Sequence, residues 1–371
     1  MTTLRGAYAV VTGGGTSGHV LAALAVADAL VARGHERDSI HYVGATRGVE
    51  RRLLPPTGYD STLLDVTGLQ RSMSIRNLAF FPKLVASTWQ ARRLIRELSP
   101  QVIVNVGGYA SFPATAAALL NRVPYVVVSY DRRPGLVSKL MARRAAACAV
   151  AFAGSTLPRA EITGAPVRQE VLSIDRHRDR EAARSELGLP HNRFVFAVFG
   201  GSLGARRLNE VVAEIVERLA ARRDVVIYHI VGERNMADAA PARDGSDGIM
   251  YRVLGYEDRM PKVYAAADLM MTRAGAATIA ELATVGMPAI IVPWPGAAEN
   301  HQVDNARELS DHHGAVLIDE RDLTAERLIV ELAGLITNPG DLAAMSSAAS
   351  ALGARHRGTA LVDLIERVAS S

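Results

Sequence analysis

The chain has 371 residues, of which 49% are hydrophobic, 22% charged and 5% aromatic, with a formal net charge of +4. At roughly 150 residues per domain that length suits two domains, and the apolar fraction excludes a chain that is mainly disordered. No apolar run reaches the ~18–20 residues of a membrane-spanning helix, and the single cysteine, Cys148, excludes an internal disulfide framework and fits a reducing compartment.

The N-terminus, MTTLRGAYAVVTGGG, reads as a short strand running into glycines. It lacks the longer apolar stretch and small-residue cleavage site of a signal peptide. A helix is predicted over 19–33, a strand at IHYVGA, a basic amphipathic helix over 83–97 and a strand with a turn at VIVNVGGYAS. A small-residue helix near 112–121 and a strand at YVVVS follow. This alternation is the β-α-β rhythm of a doubly wound parallel sheet.

The highly charged stretch 172–192 ends in a Gly/Pro break and reads as a linker with a short surface helix. The rhythm then restarts with FVFAVFGGSLGARRLNEVVAEIV. Strands are predicted at VVIYHIVG, MYRVLGY, DLMMTRAG and AIIVPWP, a loop at 235–249 and helix over 322–369. The expected fold class is α/β: two Rossmann-like, doubly wound parallel-sheet domains separated by a cleft. The first spans 1–170, a linker 171–192 and the second 193–371, with the last helix a candidate to pack back on the first domain. Ligands of such folds bind beyond the carboxyl ends of the strands.

The first glycine turn, Gly13-Gly14-Gly15-Thr16-Ser17-Gly18-His19, formally matches G-x-G-x-x-G. Glycines let the backbone approach a ligand, and the helix start favours anions. A dinucleotide site also wants an acidic residue at the end of the second strand, but Ala45 and Thr46 stand there, which argues against NAD. His19, at the helix start, is a candidate general base near neutral pH; a purely local hydrogen bond is the competing reading.

A second turn, Gly200-Gly201-Ser202-Leu203-Gly204-Ala205, has the same physics, and Ser202 offers a hydroxyl to a phosphate. A third cluster runs from Thr272 to Glu281, with Glu281 one turn into an otherwise apolar helix. That carboxylate suits the two hydroxyls of a ribose or, alternatively, a helix cap. A fourth, His301-Gln302 with Asn305, carries amides suited to sugar hydroxyls. No P-loop, no metal-ligand spacing and no G-x-S-x-G elbow occurs, and the basic residues lack the interleaved aromatics of a nucleic-acid platform.

Charge is unevenly distributed. Residues 1–170 hold 20 Lys/Arg and 10 Asp/Glu, a balance of +10, which leaves −6 for the remainder. The stretch 67–96 holds six basic residues and no acidic one, beside Met73, Ile75, Leu78, Phe80, Phe81 and Trp89. Cations beside apolar side chains suit an anionic bilayer surface, with Arg71, Arg76, Phe80, Phe81 and Lys83 as the membrane-facing candidates. Packing on the sheet is expected for 83–96 and interfacial exposure for 71–82.

Taken together, GGGTSGH, GGYAS at 107–111, PGL at 134–136, GAPVR at 164–168, GGSLGA at 200–205, RAGAATIAE at 273–281 and HQVDNA at 301–306 resemble the MurG family of GT-B glycosyltransferases, family 28, over about 8–335. The resemblance implies transfer of N-acetylglucosamine from UDP-GlcNAc to a lipid-diphosphate-linked muramoyl-pentapeptide in peptidoglycan synthesis, with inversion and with neither metal nor cofactor. It implies a protein peripheral on the cytoplasmic face of the cell membrane, with UDP-GlcNAc, a lipid-linked acceptor and an anionic membrane surface as partners and no nucleic acid. Carried over residue by residue, Arg168 and Ser202 would hold the donor diphosphate, Glu281 the ribose, the backbone around Glu257 the uracil and Gln302 the sugar. Thr16, Ser17, Gly18, Asp131, Arg273, Ala277 and Thr278 would complete the donor contacts. Gly14, Gly15 and Tyr109 would face the acceptor diphosphate, and His19 would be the base.

The chain departs from the family at Ser17, where glycine is usual, and at His301 in place of a glutamine. It departs most at Val128-Ser129-Tyr130-Asp131, where the family shows His-Glu-Gln-Asn. That change leaves other readings open: a paralogue with a different acceptor, a non-catalytic UDP-sugar-binding protein, or an epimerase acting on UDP-GlcNAc itself.

Overall fold

A computed structural model of the chain describes residues 6–67, 80–201, 204–297 and 301–371. The chain divides into two compact units, Met1–Gln169 with Arg355–Ser371, and Glu170–Ala354.

The first unit is built on strands β1 (Ala9–Thr12), β2 (Ile40–Ala45), β3 (Asp60–Leu64), β4 (Val102–Asn105), β5 (Tyr125–Ser129), β6 (Ala147–Val150) and β7 (Ala160–Ile162). Their order is β3-β2-β1-β4-β5-β6-β7, and every neighbouring pair is parallel. The inner strands are buried runs such as AVVT and VIVN, as a sheet covered on both faces requires. Its helices are α1 (Ser17–Arg33), α2 (Glu50–Leu53), α3 (Phe80–Leu98), α4 (Phe112–Asn121) and α5 (Leu136–Ala142). The chain winds from β1 out to β3, then returns to β4 beside β1. The switch point therefore lies between β1 and β4, and the loops leaving them are Gly13–Thr16 and Val106–Gly108.

Along the chain come α6 (Gln169–Leu172), α7 (Arg176–Leu187) and the second sheet: β8 (Phe194–Phe199), β9 (Val225–Ile230), β10 (Arg243–Asp244), β11 (Met250–Leu254), β12 (Leu269–Thr272), β13 (Ala289–Ile291) and β14 (Ala315–Leu317). The order is β10-β11-β9-β8-β12-β13-β14. Only the edge pair β10–β11 is antiparallel among the described strands, and its short member β10 lies inside the predicted loop 235–249. The helices are α8 (Arg206–Arg218), α9 (Met260–Ala266), α10 (Ala276–Val285), α11 (His301–Ser310), α12 (Ala325–Thr337) and α13 (Pro339–Gly353). Here the switch point lies between β8 and β12.

Residues 171–192, expected as a linker with a short surface helix, carry that helix as α7, but it belongs to the second unit and packs on α9. The cause is Arg184. Its side chain is buried, pairs with Asp268 at 2.7 Å and donates to the carbonyls of Ala266, His191 and Arg193 at 3.0, 2.9 and 2.9 Å. The last helix, α14 (Ala360–Ala369), belongs to the first unit. Arg33 pairs with Asp363 at 2.6 Å, Arg367 with Glu161 at 2.6 Å, and the Ala165 amide donates to His356 Nδ1 at 2.9 Å.

Candidate functional site

Both switch points carry glycine loops followed by helix starts, so each unit presents its own candidate site at the carboxyl edge of its sheet. Gly14, Gly15, Thr16, Ser17, Gly18, His19, Tyr109, Asp131 and Arg168 fall in the first unit. Glu257, Arg273, Ala277, Thr278, Glu281 and Gln302 fall in the second. Ser202, Arg71, Arg76 and the Phe80 side chain lie outside the described residues.

In the first unit the glycine loop differs from expectation. The amides of Gly14 and Gly15, expected to meet a diphosphate, turn inward. Gly14 N–H donates to the Gly107 carbonyl at 3.4 Å and Gly15 N–H to Glu50 Oε1 at 3.0 Å. Glu50 is the physical cause. It is completely buried, and Ala45 N–H also donates to its Oε1 at 3.4 Å, while Oε2 has no partner among the described residues. A buried carboxylate recruits whatever donors lie near it. Gly15 adopts φ +92°, and a Cβ there would lie 2.3 Å from the Tyr109 ring, which packs against the loop.

What remains for an anion is the start of α1. The amides of Ser17, Gly18 and His19 have no carbonyl one turn back. Thr16 takes the cap position, but its hydroxyl makes no capping bond; it lies 2.9 Å from His19 Nδ1. Its side chain therefore bonds within the turn, to His19. Two residues not singled out by function support this turn. Tyr42 donates its hydroxyl to the Gly13 carbonyl at 2.5 Å, and Tyr130 donates to the Gly18 carbonyl at 3.3 Å. Burial pushes both hydroxyls up, with added repulsion from Glu50 for Tyr42 and from Asp131 for Tyr130, so both act as donors at neutral pH. Tyr130 belongs to the segment that departs from the family. Asp131, next to it, and Arg168 are half-buried.

In the second unit the start of α10 mirrors that of α1. Gly275 is the cap, Ile279 N–H donates to its carbonyl at 2.9 Å, and the amides of Ala276, Ala277 and Thr278 open toward the sheet edge. Glu281 follows one turn later, its Oε2 accepting from the buried Tyr264 hydroxyl at 2.7 Å. Glu257 is committed to its own turn. Its carboxylate accepts from Tyr228 and, at 2.8 and 3.1 Å, from the amide and Nε of Arg259. Burial works to raise its pKa, but the bonds from Tyr228 and Arg259 prevail and hold it below the usual carboxylate range. This pins the backbone after β11.

Arg273 differs from expectation. Its side chain is buried, pairs with Glu320, and donates through Nη1 to the carbonyls of Val292 and Pro293 at 3.1 and 3.3 Å. It braces the loop after β13 instead of reaching outward. Gln302 also serves that loop: its Oε1 accepts from Trp294 N–H at 2.8 Å and from Ala274 N–H at 3.2 Å.

The glycosyltransferase family 28 N-terminal domain matches residues 9–150, and the family 28 C-terminal domain matches residues 195–363. A UDP-N-acetylglucosamine--N-acetylmuramyl-(pentapeptide) pyrophosphoryl-undecaprenol N-acetylglucosamine transferase of Clavibacter michiganensis subsp. michiganensis is 38% identical over 96% of this chain and 95% of its own length. An enzyme of the same name from Desulforudis audaxviator is 37% identical over 97% of this chain and 98% of its own. The crystal structure of Acinetobacter baumannii MurG matches with a TM-score of 0.70 at 27% identity, covering 97% of this chain and 99% of that one.

Proposed function

The chain belongs to glycosyltransferase family 28, and on that premise we propose that it transfers N-acetylglucosamine from UDP-GlcNAc to a lipid-diphosphate-linked muramoyl-pentapeptide in peptidoglycan synthesis. The observation that carries this reading is the end-to-end likeness to transferases named for that reaction. The donor belongs to the second unit. Its diphosphate meets the amides at the start of α10 and the Ser202 loop. Its ribose meets Glu281, and its uracil meets the backbone beside Glu257.

The acceptor diphosphate belongs to the first unit, at the start of α1. His19 takes the proton of the acceptor hydroxyl as that oxygen forms a bond to the anomeric carbon and the bond to the departing UDP breaks. Attack opposite the leaving group inverts that centre. Helix-start amides meet the charge on UDP, so the reading needs no metal; undiminished turnover in chelator is the expected result.

The acceptor brings the protein to a lipid surface. Among the described residues no single helix is long and apolar enough to cross a membrane. Helix α3 instead offers an interfacial face. Ser87, Ala91, Ile95 and Leu98 are buried against the unit, while Phe81, Val85 and Trp89 are 67%, 57% and 60% exposed. At 100° per residue those three share an arc of about 80° with Arg92 and Arg96. We assign this face to the anionic cytoplasmic surface of the cell membrane.

The test is UDP release from UDP-GlcNAc with and without a short-chain lipid-diphosphate muramoyl-pentapeptide. Acceptor-dependent release is expected. Binding of UDP-GlcNAc with no release in the presence of that acceptor overturns the reading in favour of a different acceptor or a non-catalytic protein.

A further inference from the structure

Residues 292–297 follow β13 and hold one large side chain in an unusual setting. Trp294 is 51% exposed, yet its surroundings are heavily braced. Buried Arg273, anchored by Glu320, grips the two carbonyls just before it, those of Val292 and Pro293. Gln302 Oε1 holds its amide at 2.8 Å. Gly296 lies against its ring: a Cβ there would sit 2.6 Å from the indole, so any other residue would push the ring away. An exposed indole alone needs no explanation. An exposed indole whose backbone is fixed by a buried ion-paired arginine and a side-chain amide is a platform.

The platform has a definite neighbour. The same Gln302 oxygen accepts from Ala274 N–H at 3.2 Å, so Trp294 and the turn that opens α10 are bonded to one atom. That turn leads to the amides of Ala276, Ala277 and Thr278, to which the proposed function assigns the donor diphosphate. On that assignment, a group attached to the diphosphate falls next to the loop that carries Trp294. The transferred pyranose has a face of C–H bonds and an acetamido methyl, both of which pack on an aromatic surface while its hydroxyls stay available to polar partners.

We propose that Trp294 is a sugar-contacting specificity residue that stacks on the N-acetylglucosamine of the donor, with Arg273 and Gln302 as the positioning residues that hold its loop. This rests on the donor reading above. It gives Arg273 and Gln302 a positioning role and adds a donor contact that the sequence did not suggest.

The chain has two tryptophans, so the W89F variant leaves Trp294 as the sole reporter. Its emission is titrated with UDP and with UDP-GlcNAc, and the affinities of both are measured by calorimetry in wild type and in W294A. Expected are a quench or blue shift with UDP-GlcNAc that UDP does not produce, and a loss of about tenfold in UDP-GlcNAc affinity with UDP affinity unchanged. Identical emission changes for the two ligands, together with an unchanged affinity ratio in W294A, overturn the stacking role while leaving donor binding intact. If wild type binds neither ligand, the donor reading itself fails, and this inference fails with it.

Discussion

Thr16 Oγ1 and His19 Nδ1 lie 2.9 Å apart within the first turn of α1. The pairing bears on which ring nitrogen is basic. When Nδ1–H donates to the Thr16 oxygen, the lone pair sits on Nε2, as a general base requires. H19A should lower kcat by ~10²–10⁴-fold, the usual worth of general-base help, with the dissociation constant of UDP-GlcNAc unchanged. T16V keeps the imidazole and removes its orienting partner, so it should lower kcat less than H19A and leave donor binding unmoved. Steady-state kinetics with both substrates varied check this; a T16V enzyme with wild-type kcat reduces the contact to local packing.

Glu50 is the residue on which the first glycine loop depends. E50A leaves the Gly15 amide without its acceptor in a buried setting and opens a cavity, which should cost ~2–4 kcal/mol of stability. E50Q keeps an oxygen for Gly15 and should lose less than half as much. Urea unfolding of the two variants checks the order. Equal losses would point to the charge, not the accepted bond, as the source of stability.

The doubly wound architecture is legible in the sequence because its inner strands are buried on both faces and read as unbroken apolar runs. The edge strands β3, β7 and β14 escape that reading: Asp60–Leu64 opens on three polar residues, and Ala160–Ile162 is three residues long and exposed. Inner β6 (Ala147–Val150) escapes it too, since its small residues ACAV follow an Ala-rich run. The run AIIVPWP reads as one strand, but pairing stops at Ile291, and Pro293, which has no N–H, follows in the loop. That misreading hides Trp294. Arg184 and Glu50 are illegible for a different reason. Each sits in a charged segment that looks like solvated surface, and only tertiary structure reveals the backbone groups that each one satisfies. One sign was available: Glu50 is the first acidic residue after β2, five positions beyond the place where a dinucleotide fold would carry one.

Two buried histidines give the fold an acid limit. Burial pushes His229 down to about 3, where it bonds Tyr251 and Asn209, and burial, aided by Arg355, pushes His356 down to about 4. In the unfolded chain each takes a proton near pH 6.5. Below that pH the unfolded state binds more protons than the folded one, so stability rises with pH and is lost on acidification. The contribution is complete above about pH 6.5 and falls by up to ~1.4 kcal/mol per pH unit per histidine down to the folded values. H229Q and H356N should each flatten the slope of unfolding free energy between pH 6.5 and 4.5 by up to one proton. Urea midpoints across that range measure it; slopes unchanged in both variants would contradict the linkage.

The exposed face of α3 separates apolar from ionic contributions to membrane binding. Lys83 is already paired with Asp65 at 2.7 Å, and the pair holds that carboxyl below its ordinary range. K83S therefore removes a cation that is largely neutralised and should change vesicle binding little. Arg92 lies 4.9 Å from the Trp89 ring centre and Arg96 is exposed on the same face. Each cation near an anionic surface is worth about 1 kcal/mol, so R92S/R96S should weaken binding to phosphatidylglycerol vesicles by roughly tenfold or more. Added salt should abolish the difference from wild type, because screening acts over ~10 Å at 0.1 M. F81S/W89S should weaken binding at every salt concentration, since burial of apolar area does not depend on counterions. Co-sedimentation at low and high salt distinguishes the two terms. If all three variants bind like wild type, α3 only packs on the sheet, and the lipid surface meets another part of the chain.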